Sequence, residues 1–475
     1  MRVAVFDIGK TNAKLALVDT GAARELELRS RPTPMIDGPL YRSPDIEALW
    51  TFLLESLKAL GEREPIDAIG ITAHGATVAL LDADGELALP VLDYEHEGPE
   101  DCAADYDAVR PPFAETGSPR LPGGLNVGAQ LFWQERRFPE RFARVAHVLT
   151  WPQYWAWRLS GELASDATSL GCHTDLFVPT GGTFSSLART RDWERLLPPV
   201  RRSGVRLGRV TAEVAARTGL RPDTPVHVGI HDSNASLVPH LLAEDTPRAV
   251  VSTGTWVIVM ALGAAMPTLD PARDTLVNVD ARGAPVPSAR FMGGREHTLL
   301  SRTAAANGAQ ERAPAPAPLE PSGSRSAESE DERALARVLD EGAMLLPAVV
   351  RGSGPFPTRE ASWTVPEDAL DDAARAIVVA HYLAMMTVTC LELVGARGPI
   401  AVEGPFGANR HYVRMLGAAT GRPVETGLAA TGTSVGTAML IEAPRSAPLR
   451  MVDEIPRPWR ARLSRHAALW RERVI

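Results

Sequence analysis

The chain has 475 residues, 45 % of them hydrophobic, and a formal net charge of -8, with a pI near 5.8. That length exceeds one ordinary core and points to two domains, and the acidic balance excludes a general nucleic-acid binder, which needs a basic surface. The three cysteines, Cys102, Cys172 and Cys390, have no zinc or redox spacing, and their odd number suits reduced thiols; without a signal core or a run of about 20 apolar residues, the reading is a soluble cytoplasmic protein with no membrane partner.

Residues 2–8 and 13–18 alternate as strands around a glycine turn. A helix is predicted over 45–60, with Ile46, Leu49, Trp50, Leu53, Leu54, Leu57 and Leu60 on one face and Ser43-Pro44 as cap and first-turn proline. Strands follow at 66–73 and 78–82, then an Asp84-Gly85 turn, and a further apolar strand at 225–230 ends at His231-Asp232. Strands alternating with helices imply an α/β domain. A second strand–turn–strand, 248–262, echoes the N-terminal hairpin, so the chain reads as two repeated halves, 1–240 and 241–475. Residues 304–331, rich in Ala, Pro, Ser and Glu, read as a loop or disordered excursion. Leu370–Leu393 reads as a buried helix. In the last segment Trp459, Leu463, Ala467, Trp470 and Val474 make one helical stripe, which either docks on its own domain or forms a homodimer contact.

Four motifs carry chemistry. In Asp7-Ile8-Gly9-Lys10-Thr11-Asn12-Ala13-Lys14, backbone N–H groups, a hydroxyl and two cations can wrap phosphate oxygens. The carboxylate at the strand end can hold Mg²⁺ through water. Ser252-Thr253-Gly254-Thr255 offers hydroxyls and a glycine N–H for the same purpose. In Gly229-Ile230-His231-Asp232-Ser233, Asp232 emerges at a strand end, where it can take a proton from an attacking hydroxyl or simply cap a helix. Glu403-Gly404-Pro405-Phe406-Gly407-Ala408-Asn409 is a glycine loop after a strand, over which a flat base can approach the backbone. Each is also compatible with an ordinary turn; their order in one chain is the more specific signal.

Taken in that order, the motifs resemble the FGGY carbohydrate kinases, over roughly residues 1–443. The resemblance implies two actin-like, ribonuclease H-like α/β domains with a nucleotide and sugar cleft between them. It implies that Gly9, Lys10, Thr11, Asn12, Lys14, Thr253, Gly254 and Thr255 contact ATP phosphates and that Asp232 is the catalytic base. Gly404, Gly407 and Asn409 would line the adenosine pocket, and Asp7 with Asp232 would hold Mg²⁺. His74, Gly75, His231 and Asp232 would bind the sugar, and Gly432–Gly436 would pack near the nucleotide. Within the family, Ser252–Trp256, His231-Asp232-Ser233 and Ile71–Gly75 look most like rhamnulose and fuculose kinases, as do Gln130-Leu131 and Trp157–Gly161.

The chain departs from the family pattern at Lys10, where small hydroxyl residues are usual, and at Lys14, where arginine is usual. Pro405 stands in place of a glycine, which bears on nucleotide preference, and Phe291–Glu296 lacks the expected asparagine. The expected reaction is transfer of the ATP γ-phosphoryl to a primary hydroxyl of a 6-deoxy ketohexose such as L-rhamnulose or L-fuculose, with domain closure excluding water. A pentulose or polyol such as xylulose, ribulose or glycerol is the alternative acceptor. A non-catalytic sugar sensor and a chaperone-like ATPase switch are the alternatives of another class.

Overall fold

The computed structural model describes residues 1–243, 247–305, 325–426, 432–444, 451–452 and 454–474. The chain divides into two compact units. The first comprises Met1–Ala243, Val277–Pro285 and Thr431–Pro448, and the second comprises Glu244–Leu276, Val286–Ala430 and Leu449–Ile475. The crossing near residue 240 is therefore accompanied by two later returns to the first unit, one of them carrying the helix Thr433–Ile441 onto that unit's sheet.

The first unit is built on β1 (Arg2–Ile8), β2 (Asn12–Asp19), β3 (Arg24–Pro32), α1 (Ile46–Gly61) and β4 (Ala68–Ala73), followed later by β5 (Arg206–Arg209), β6 (Pro225–His227) and β7 (Ile230–His231). The sheet runs β5-β6-β4-β1-β2-β3, with β7 also pairing β4. Val3 to Ile8 are all buried, as a central strand covered on both faces requires. The predicted face of α1 is buried. Its cap differs from expectation: Ser43 and Pro44 pair in a short strand, Arg42–Pro44. Asp45 takes the cap, its carboxylate accepting the Ala48 N–H at 3.0 Å.

The second unit contains β8 (Arg248–Thr253), β9 (Val257–Leu262), β10 (Pro285–Phe291), α2 (Asp372–Leu393), β11 (Ile400–Glu403), β12 (Val424–Thr426) and α3 (Arg457–Val474). Its sheet includes the order β10-β9-β8-β11-β12. β8 is antiparallel to β9 and parallel to β11, just as β1 is antiparallel to β2 and parallel to β4. The repeat read from the sequence is thus a repeat of strand pairing.

Helix α2 is long and apolar enough to cross a membrane, yet it is mostly buried among the unit's own side chains. The α3 stripe of Leu463, Ala467, Trp470 and Val474 is buried in the same core, and Trp470 Nε1 donates to the Leu345 carbonyl at 2.9 Å. These four residues of the stripe therefore dock on their own unit, with Trp459 partly buried against the same core. The excursion predicted at 304–331 is helical at both ends: one helix is Gly293–Ala305 and another is Arg325–Asp340. Past Pro321 the sequence is rich in Ala, Glu and Arg and free of proline, so helix propensity takes over; residues 306–324 lie outside the described residues.

Candidate active site

Strands β1, β4 and β7 end level with one another. Ile8 is opposite Ala73, and Ala73 is opposite His231. The residues at or just beyond these ends, Asp7, His74 and Asp232, therefore gather at one edge of the first sheet, where parallel strands characteristically present ligand-binding groups. Asp7 is buried at 6 % exposure, and the Thr433 hydroxyl donates to its Oδ2. Lys14 faces it across the β1–β2 register. Burial raises the Asp7 carboxyl above its ordinary range; the Thr433 hydrogen bond and Lys14 pull it back, while Asp232 and Glu25 push it further up.

His74 hangs from β1 through its N–H, which donates to the Ile8 carbonyl at 3.1 Å. Its Nδ1 lies 2.9 Å from the Gly75 carbonyl, so Nδ1 carries the proton. Burial lowers its pKa and favours the neutral ring. Gly75 is required by a close approach: a Cβ there would stand 2.8 Å from His231 Nε2 and 3.6 Å from Cys172 Sγ. His231 donates its N–H to Thr168 Oγ1 at 3.0 Å and sets Nε2 3.4 Å from Asp232 Oδ1. Burial disfavours a charged His231, but Cys172 and Asp232 outweigh it and raise the imidazole. Burial likewise resists ionisation of Cys172, and His173 and His231 overcome it. His173 itself is held at φ 43°, a strained backbone of the kind that collects at functional sites. Asp232 is the first residue of a short helix, Asp232–Ala235; His231 holds the cap position, so Asp232 is not the N-cap residue that was its alternative reading. Its Oδ1 accepts the Ser233 N–H at 2.6 Å.

The first turn is tight, with the Gly9 N–H donating to Asn12 O at 2.9 Å. Thr33 braces it, donating its N–H to Thr11 O at 2.8 Å and its hydroxyl to Gly9 O at 2.9 Å. Thr11 and Asn12 are exposed, free to meet a ligand. Lys10 is not: its ammonium pairs with buried Asp93, lies 3.4 Å from Glu95 and sits 4.6 Å over the Tyr94 ring. It lines a cavity with His74, Thr77, Asp93, Tyr94 and Trp151. Asp93, Tyr94 and Cys172 were not foreseen as site residues. The acid–aromatic run Asp93-Tyr94-Glu95 after a strand pair was a usable signal, and Thr433 falls inside the glycine segment that the resemblance marked.

In the second unit Thr253, at the end of β8, donates its hydroxyl to Glu403 O at 2.6 Å and accepts the Phe406 N–H at 3.2 Å. This clamps the β8–β9 turn to the Gly404 loop. Gly404 has φ 82°, and a Cβ there would meet Thr253 O at 2.1 Å, so only glycine fits. Gly254 and Thr255 are exposed at the turn. Gly407 donates its N–H to Gly404 O at 3.1 Å, completing the single turn of helix Pro405–Ala408. Asn409 also has a structural role that the sequence reading did not give it: its Oδ1 caps the helix Arg410–Thr420, accepting from His411 and Tyr412 at 3.0 and 3.2 Å. Trp256 stacks under the Arg290 guanidinium at 4.7 Å.

Among the described residues no three His, Cys, Asp or Glu side chains form a metal cage. Mg²⁺ needs no such cage, since it keeps water and takes one or two carboxylates beside substrate phosphates. Asp7, whose carboxyl is raised in part by the nearby Asp232 charge, and Asp232 itself fit that requirement.

Comparison with known proteins identifies the family. Residues 2–239 match the N-terminal domain of the FGGY family of carbohydrate kinases, and residues 245–448 match the carbohydrate kinase FGGY C-terminal domain. A solved carbohydrate kinase from Novosphingobium aromaticivorans is 37 % identical, with a TM-score of 0.87 over 99 % of this chain and 98 % of that one. A putative sugar kinase, YoaC, of Bacillus subtilis is 28 % identical over 55 % of this chain and 52 % of its own length. Xylulose kinase of Escherichia coli is 27 % identical over 52 % of each. The chain thus spans about half the length of these curated relatives. With both domain descriptions matched in order across most of its length, the chain belongs to the FGGY family of carbohydrate kinases.

Proposed function

We propose that the protein transfers the γ-phosphoryl group of ATP to a primary hydroxyl of a small sugar. The observation that carries this reading is the convergence of Asp7, His74, His231 and Asp232 on one edge of the first sheet. The sugar lies against His74, Gly75, His231 and Asp232. Asp232, with Oδ1 held by the Ser233 N–H, orients the hydroxyl and takes its proton. The sugar oxygen forms its bond to Pγ as the bond from Pγ to the bridging oxygen breaks, and ADP leaves. In the first unit the Gly9 turn and Lys14 face phosphate oxygens; in the second, the Thr253–Thr255 turn does so and the Gly404 loop supports the nucleotide. Mg²⁺, held through water by Asp7 and Asp232, would offset the phosphate charge.

The acceptor proposed first is a 6-deoxy ketohexose of the L-rhamnulose or L-fuculose type; L-fuculokinase of Haemophilus influenzae is among the relatives, at 24 % identity. A pentulose is the second reading, favoured by the xylulose kinases among the relatives. Reduced cysteines and ATP as co-substrate suit a cytoplasmic reaction. The test is ADP release by the full chain with L-rhamnulose, L-fuculose, D-xylulose, L-xylulose and glycerol. Stimulation by a deoxyketose supports the first acceptor. Stimulation by xylulose or glycerol alone replaces it with the second. Sugar binding without turnover would make the protein a sensor, and sugar-independent hydrolysis would make it a switch.

A further inference from the structure

Lys10 occupies a position in the phosphate-facing turn, yet its side chain does not extend along that turn. It reaches across to a segment 83 residues on, where its ammonium pairs with Asp93. Asp93 is itself buried at 7 % exposure and further fixed by the Glu95 N–H, which donates to Oδ1 at 3.1 Å. The Tyr94 ring lies beneath the ammonium at 4.6 Å, and the same ring meets the His74 ring edge-on at 5.6 Å. Lys10, Asp93, Tyr94, His74 and Trp151 line one small cavity in the first unit, and Lys10 keeps 26 % of its side chain exposed.

An ammonium offers three donors and no acceptor, and a carboxylate offers only acceptors. Held side by side, the two present a donor and an acceptor to adjacent hydroxyls, while the half-buried Tyr94 ring supplies an apolar face for the carbon skeleton. Asp93 and Glu95 together outnumber the single cation, so a negatively charged acceptor is disfavoured at this wall. We propose that Lys10 is a specificity-determining residue for the sugar, acting with Asp93 and Tyr94 to read a vicinal diol of an uncharged polyhydroxylated acceptor, and that it is not an ATP contact. The inference rests on the kinase reading for its consequences in turnover, but its binding consequences are separate.

The experiment compares wild type with Lys10→Met, which keeps the stem and removes the charge, and with Lys10→Thr. Asp93→Asn serves as a partner control, and thermal melts confirm folding. Calorimetry measures binding of L-fuculose, L-rhamnulose and D-xylulose alone, of D-gluconate alone, and of a non-hydrolysable ATP analogue alone; steady-state kinetics then use the sugar that binds best. Loss of one charge-assisted contact predicts a sugar Kd and KM about 10- to 100-fold higher in Lys10→Met, with the ATP-analogue Kd unchanged and D-gluconate bound worst by wild type. A rise in nucleotide Kd with no change for the sugar overturns the proposal, as does a folded variant in which neither moves. If wild type binds a sugar but shows no turnover, the kinase reading fails while the Lys10 result still decides this one. A wild type that binds none of the sugars overturns both.

Discussion

The turn at Gly9–Asn12 and the turn at Gly254–Trp256 each close a hairpin whose first strand also has a parallel neighbour, but their surroundings differ. Around the first are ionisable groups: Asp7 with Lys14 opposite it, Lys10 on Asp93, and Asp232 at the end of a nearby strand. Around the second are backbone groups and a hydroxyl, with Thr253 tying Glu403 and Phe406 together and Gly404 pressed against the Thr253 carbonyl. A repeated strand pairing thus constrains the main chain in both units and leaves the side chains free to diverge. In the first unit changes of charge should govern activity, and in the second changes of shape and burial should govern stability.

The sharpest break would come from Asp232→Asn, which keeps the shape and removes the proton acceptor. General-base catalysis is worth about 10²- to 10⁴-fold, so kcat should fall by that factor, with little change in KM for ATP or in the melting temperature. Near-normal kcat in a folded variant would remove Asp232 from the mechanism.

Next in size is a pH effect confined to the second unit. Glu296 is 1 % exposed and accepts the Val350 N–H at 3.1 Å, with the Tyr382 hydroxyl 3.1 Å from its other oxygen. Burial pushes its carboxyl up to about 7, against the partial opposition of these hydrogen bonds. The folded value lies above the unfolded one. Its stabilising contribution is therefore full below about pH 4.5 and is lost as pH rises through about 7, a change of about 3 kcal/mol. Glu296→Gln keeps a neutral group at every pH. Its melting temperature should be near wild type at pH 5 and rise relative to wild type by pH 8. A difference that does not change with pH would show that Glu296 ionises freely in the fold.

A smaller effect is expected from Gly404→Ala. At φ 82°, with Thr253 O in the path of a Cβ, alanine should cost about 1–3 kcal/mol. It should raise KM for ATP more than KM for sugar. An unchanged melt would mean that the loop shifts without penalty, and the shape argument for the second turn would lapse.

How far the sequence could be read follows the same division. Both hairpins were legible because an apolar run, a glycine turn and a second apolar run lie within about 20 residues, and local periodicity reports that directly. The buried face of α1 and the α3 stripe were legible for the same reason. The partners of those elements were not. Thr433 meets Asp7 across 426 positions and Lys10 meets Asp93 across 83, and no local pattern encodes such pairings. Lys10 shows the consequence. Its place in the turn suggested phosphate; in the fold its ammonium pairs with Asp93 and lies 3.4 Å from Glu95, which the turn alone did not announce. Asn409 is similar: a helix start immediately after it claims its side chain as a cap. At the excursion, the prolines dominated the reading of a segment whose last third has strong helix formers.

The most direct test of the account follows the phosphoryl group itself. ATP labelled in its γ-phosphate would be incubated with the full chain, Mg²⁺, and L-fuculose, L-rhamnulose or D-xylulose, and the products separated. The account predicts that label appears in a sugar monophosphate, in step with ADP, and that Asp232→Asn abolishes nearly all of that transfer. Label recovered only as inorganic phosphate, at a rate indifferent to sugar, would contradict it.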